Sequence, residues 1–137
     1  MEILIDANDA IVGRVASFAA KQALLGNKVS IINIEKSIMT GNKEFMLADY
    51  HHRKVELGQP QTGPFISRMP DRFVRRIIRG MVPYKTVRGK EALQRTRCYI
   101  GIPLQFKDKK PEKVPGADLS KLTTTKYMRI GELCKLL

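Results

Sequence analysis

Among its 137 residues the chain has no tryptophan, two cysteines and two histidines, and only 13 acids against 25 Lys+Arg. Each shortage excludes something. Cys98 and Cys134 stand far apart, with no Asp/Glu/His/Cys set at ligand spacing, so both read as buried thiols rather than a disulfide or metal pair. His51 and His52 are adjacent, and neighbours on a helix point about 100° apart, so they cannot share a metal from one helix. No apolar run approaches the roughly 18–20 residues of a membrane span. The start, MEILIDAND, lacks the basic segment and long apolar stretch of a signal peptide, and the chain reads as cytoplasmic. The first turn, Asp6 to Arg14, holds only Gly13. Without GxGxxG or GxxxxGKS/T there is no glycine cradle for a nucleotide, and no catalytic set, cofactor site or metal site is read anywhere.

What is present is positive charge, concentrated in one stretch. Residues 68–97 hold ten basic residues against Asp71 and Glu91, whereas residues 1–67 hold seven of each sign. The chain nets +12 with a pI near 10, which points to a polyanionic partner. Within that stretch Phe73, Val74, Ile77, Ile78, Met81 and Val82 recur at helical spacing, with Arg72, Arg75, Arg76 and Arg79 opposite. Pro70 and Asp71 suit a helix start, and Pro83 ends it. The spacing predicts a helix over 70–81 with one oily and one arginine side. Gly80, in its last turn, costs about 1 kcal/mol against Ala and is read as admitting a close neighbour.

The remaining segments frame that helix. Residues 2–5 predict a strand, Ile11 to Leu25 an alanine-rich helix capped by Asn8 or Asp9, and Val29 to Ile34 a second strand. Together these make a right-handed βαβ unit with parallel strands. Residues 37–39 suit a brief edge strand and Lys43 to Leu57 a helix, followed by a loop from Gly58 to Phe65. Thr86 caps a short helix over about 88–96, and Cys98 to Ile102 reads as a buried strand. Residues 1–103 are taken as a single α/β RNA-binding domain. The polar, proline-bearing segment from Leu104 to Ser120 reads as an extended basic arm. The end, with Ile130, Leu133, Leu136 and Leu137, suits a helix that docks on the same domain.

An ordinary solvated helix face mixes charge signs, because like charges four apart repel. Here Arg72–Arg76 and Arg75–Arg79 are both like pairs, an arrangement that an anion relieves. Arginine suits bidentate phosphate contact and stacking. The face carries no Asn, Gln, Ser or Thr to read bases in a major groove, which favours folded RNA recognised by shape over DNA. A membrane surface is disfavoured, since the apolar side is committed to a core. The candidate RNA contacts are Arg14, Lys43, Arg68, Arg72, Arg75, Arg76, Arg79, Tyr84, Lys85, Thr86, Arg88, Lys90 and Arg95, with Lys107, Lys109 and Lys110 on the arm.

The stretches IDANDAIVGRVAS, IINIEKSIMTGNK and RMPDRFVRRIIRGMVPYKTVRGKEAL, followed by RCYIGIP, closely resemble the large-subunit ribosomal protein L-thirteen family, in its archaeal form. The likeness runs from Ile3 to about Pro103 and is most specific at Arg79-Gly80-Met81-Val82-Pro83 with Gly89 behind it. The first turn departs from it, with Ala-Asn-Asp where relatives often place a glycine. The resemblance implies a three-layer α/β/α sandwich on a four-stranded, mainly parallel sheet. It implies a non-catalytic constituent of the large subunit that binds its ribosomal RNA, touches neighbouring ribosomal proteins and supports early assembly, being a monomer outside the ribosome. The family's basic block carries over onto Arg68, Arg72, Arg75, Arg76, Arg79, Lys85, Arg88 and Lys90. A nucleotide-using α/β enzyme and a messenger-RNA-binding regulator outside the ribosome are the alternative readings.

Overall fold

A parallel βαβ unit opens the chain: β1 (Glu2–Asp6), α1 (Val12–Leu24) and β2 (Lys28–Ile32), with Ile3 opposite Val29 and Ile5 opposite Ile31. The computed structural model describes residues 1–59 and 61–137, so the predicted 58–65 loop has residue 60 outside the described residues. Ala16, Ala19, Ala20 and Ala23 are all buried along α1, and their small side chains let it lie close to its neighbours. Gly26, at φ 99°, ends the helix with its N–H on the Ala23 carbonyl, as the Gly26-Asn27 pair predicts. The start differs from expectation, because no side chain caps it. The Asn8 N–H goes to the Asp6 carboxylate, and Asp9 turns at φ 51° to pair with Arg129 at 2.7 Å.

The third parallel strand, β4 (Thr96–Cys98), lies beside β2, giving the order β1-β2-β4. Among the described residues the sheet therefore has three strands rather than the four that the resemblance implies. The other short strand, β3 (Ile38–Thr40), pairs antiparallel with β5 (Tyr127–Arg129) from the tail, a strand that the sequence did not announce. The CYIGI strand is also shifted. Pairing begins at Thr96 and stops at Cys98, because Gly101 turns at φ 67°, donating to the Glu35 carboxylate at 3.0 Å and accepting from Asn33 N–H at 3.0 Å.

Among the described residues four further α-helices follow: α2 (Lys43–His51), α3 (Pro70–Met81), α4 (Val87–Arg95) and α5 (Ile130–Leu136). The helix expected over 43–57 runs as α2 to His51 and then widens into a π turn over His52–Glu56. All five helices contribute to one core with Ile3, Ile5, Val29 and Ile31. On the alternate strand positions, Leu4 and Ile32 meet Phe106 and Tyr99 in a smaller cluster.

The arm corrects the sequence reading most. Phe106, Val114 and Ala117 are buried, so this segment is packed rather than extended into solvent. Glu112 donates its N–H to the Leu4 carbonyl at 2.8 Å and accepts from Asp6 N–H at 3.0 Å. The arm thus covers the outer edge of β1, and its Ala117 carbonyl accepts the Ile11 N–H at the start of α1. Among the described residues no helix is long and apolar enough to cross a membrane.

Candidate nucleic-acid interface

Helix α3 sorts its residues as the periodicity predicts, with one exception. Phe73, Val74, Ile78 and the following Val82 are buried and Ile77 is half-buried, but Met81 is 42% exposed. The helix ends at Met81, and Val82, already extended at φ −114° and ψ 154°, is the residue that enters the core. Arg72, Arg75, Arg76 and Arg79 stand on the solvent side.

Beyond Pro83 the chain folds back tightly over α4. Thr86 caps that helix, accepting from Gly89 N–H at 3.2 Å and donating to the Pro83 carbonyl at 2.8 Å. A Cβ placed on Gly89 would lie 1.9 Å from the Pro83 oxygen, whereas one on Gly80 would meet nothing within 4 Å. Gly89, not Gly80, is therefore the glycine that a close approach requires. The same turn brings Tyr84 beneath Arg79, whose guanidinium carbon sits 4.5 Å from the ring centroid.

The structure divides the candidate cations. Arg72, Arg75, Arg76 and Arg79 line one hollow of about 600 Å³ against Phe65, Ile66 and Ser67. Arg72 and Arg75 also border a second, of about 570 Å³, with Gln94, Tyr99 and Arg97. Arg97 was counted in the basic stretch but left out of the candidate set, and its place on β4 beside α3 brings it in. Among the described residues none of Arg68, Arg72, Arg75, Arg76, Arg79, Lys85, Arg88 or Lys90 forms an ion pair. Arg75 donates to the Leu93 carbonyl at 3.3 Å, Arg76 to that of Phe65, and Arg88 to that of Leu24 at 3.5 Å, which orients three guanidinium groups without neutralising them.

Other candidates have partners within the chain. Arg95 is half-buried, bonded to the Ala23 carbonyl and the Glu91 carboxylate, each at 3.2 Å. Lys43 is paired with Glu132 of α5, and Arg14 with the Gly116 carbonyl of the arm. Lys109 pairs with Glu2 at 2.7 Å, a contact that lowers the Glu2 pKa through the hydrogen bond first and the Lys109 charge second. Lys107 and Lys110 remain exposed beside it on the arm.

The pattern of the family described as "Ribosomal protein L13" matches residues 1–105. The chain belongs to the ribosomal protein L13 family. The L13 match includes all of α3, the Pro83 turn, α4 and β4. The chain is 44% identical over 132 residues to "Large ribosomal subunit protein uL13" of Methanopyrus kandleri, covering 95% of this chain and 82% of that protein. It is 40% identical to the protein of the same name from Methanococcoides burtonii, over 98% of this chain and 96% of the relative. The Methanosarcina barkeri protein is also 40% identical, with 95% and 93% covered.

The two thiols stay protonated at neutral pH. Burial pushes Cys98 up to about 12, against a smaller opposing pull from Arg75, and pushes Cys134 up to about 11. As protonated thiols they are weak nucleophiles at neutral pH. Among the described residues no three His, Cys, Asp or Glu side chains gather as a metal would need.

Proposed function

We propose that this chain is a structural constituent of the large ribosomal subunit that binds large-subunit ribosomal RNA and acts early in assembly, without catalysis. The reading rests on one observation above all: the arginine face of α3 is exposed, oriented and free of ion pairs among the described residues. Family membership and the relatives' name supply the identity of the polyanion. Phosphates enter the hollows beside Arg72, Arg75, Arg76 and Arg79, with Arg68, Lys85, Arg88 and Lys90 extending the contact. Tyr84, Thr86, Arg95, Arg14, Lys43 and the arm lysines Lys107, Lys109 and Lys110 belong to its margin. The reading places the domain in the family's three-layer arrangement, its sheet reduced to three strands, and puts the protein in the cytoplasmic ribosome beside neighbouring ribosomal proteins, monomeric when free.

Bidentate Arg–phosphate contacts fix RNA orientation, and each neutralised phosphate releases counterions. Binding of the free protein to large-subunit RNA fragments is expected to fall steeply with salt. Replacing Arg72 and Arg75 by Ala is expected to reduce the logarithmic salt slope by about 1 per lost phosphate contact, with melting temperature nearly unchanged. A flat salt response of the wild-type protein would overturn the reading.

A further inference from the structure

A separate hollow of about 350 Å³ opens beside the arginine groove, and Ile66, Ser67 and Arg76 line both. Its character is different. Tyr50 and Phe73 stand in its wall with ring centroids 5.3 Å apart, and Ile77 and Leu57 add apolar surface. Two guanidinium groups border it. Arg53 lies 5.5 Å from the Tyr50 centroid and pairs with Asp49 at 2.9 Å. Arg76 bonds the Phe65 carbonyl and so pins the segment that forms the opposite wall. Leu57, in its wall, is 45% exposed, and Phe65, lining the neighbouring arginine groove, is 61% exposed, leaving apolar surface uncovered beside a strongly cationic groove.

We propose that this hollow receives one unstacked base of the RNA whose phosphates lie along the α3 arginines, an inference that rests on the RNA-binding reading above. The volume falls in the range of about 300–1,000 Å³ typical of small-ligand sites. A splayed base is recognised by aromatic and guanidinium planes in an apolar setting, with its flanking phosphates held outside. An apolar side chain from a neighbouring protein would match the walls but not the guanidinium rim. A base with a phosphate beside it matches both, and the shared Arg76 sets the distance between them.

The absence of native tryptophan supplies a clean test. The L57W protein carries a single indole at the mouth of the hollow. Its fluorescence is expected to be quenched by large-subunit RNA fragments and left unchanged by inorganic polyphosphate, which fills the arginine groove but has no base to stack. In parallel, Leu57→Ser is expected to weaken RNA binding roughly tenfold with an unchanged salt slope, since a base contact releases no counterions. Leu57 lies outside the core, so its melting temperature should hold.

Salt-dependent RNA binding with a silent reporter and a neutral Leu57→Ser would overturn the base site and leave the phosphate reading standing. Absence of RNA binding altogether would overturn both. A reporter silent with RNA fragments but quenched in assembled subunits would assign the hollow to a protein neighbour and overturn the proposal.

Discussion

Gly80 and Gly89 sit nine positions apart in the same basic segment and have opposite roles. An added Cβ at Gly89 would run into the Pro83 carbonyl at 1.9 Å, a backbone atom that cannot swing aside. Gly89→Ala is therefore expected to destabilise the fold by about 2–3 kcal/mol, and to loosen the turn that presents Tyr84 and Lys85. Gly80→Ala meets open space and should stabilise α3 by about 0.5–1 kcal/mol. Urea unfolding of the two variants checks both signs. The sequence marks both positions only as glycines. Which one is crowded depends on how the Pro83–Thr86 turn folds over α4. The Thr86 cap, by contrast, was legible because it involves groups three residues apart.

At the scale of elements, legibility followed the range of the forces involved. Helix α3 was readable because its apolar and arginine positions repeat within three turns, and one strip had to face the core. Strand β4 starts two residues earlier and ends four residues earlier than expected, since the apolar run CYIGI does not say where Gly101 turns away. The arm was misread because its composition is polar and its three anchors, Phe106, Val114 and Ala117, have no helical or strand period. Each is nevertheless buried, and Phe106 lies 5.5 Å from Tyr99 in an edge-to-face pair. Phe106→Ala is expected to cost about 3 kcal/mol and to expose the second face of the sheet. Denaturant unfolding measures the loss, and an unchanged midpoint would mean that the arm is not part of the cooperative unit.

For the whole molecule, the half-buried Cys98 and the buried Cys134 add a pH dependence to a protein otherwise dominated by fixed positive charge. Cys98 is raised from 9.0 to about 12 and Cys134 from 9.0 to about 11, by burial in both cases. Below pH 9 each thiol is protonated in the folded and unfolded chains alike, and its contribution is fully present. As pH rises from 9, only the unfolded chain loses the protons, so stability falls until the folded values are passed near 11 and 12. Urea midpoints recorded from pH 7 to 11 should be flat to about pH 9 and then decline. In Cys98→Ala the decline should be shallower. An equally steep decline in that variant would assign the loss to other groups.

By itself the sequence determined the βαβ start, the two-faced helix and the location of the basic block. These depend on local periodicity and on charges that add along the chain wherever they end up. Only the tertiary structure decided which cations are available. Lys43 is paired with Glu132, 89 positions away, and Arg95 is tied to the Ala23 carbonyl, 72 positions away, while the α3 arginines keep their charge unpaired among the described residues. It also decided that the sheet has three strands among the described residues and that the tail supplies both an edge cover for β1 and a partner for β3. Pairings across such separations leave no periodic trace, because each is one contact between distant segments, chosen by the packing of everything between them.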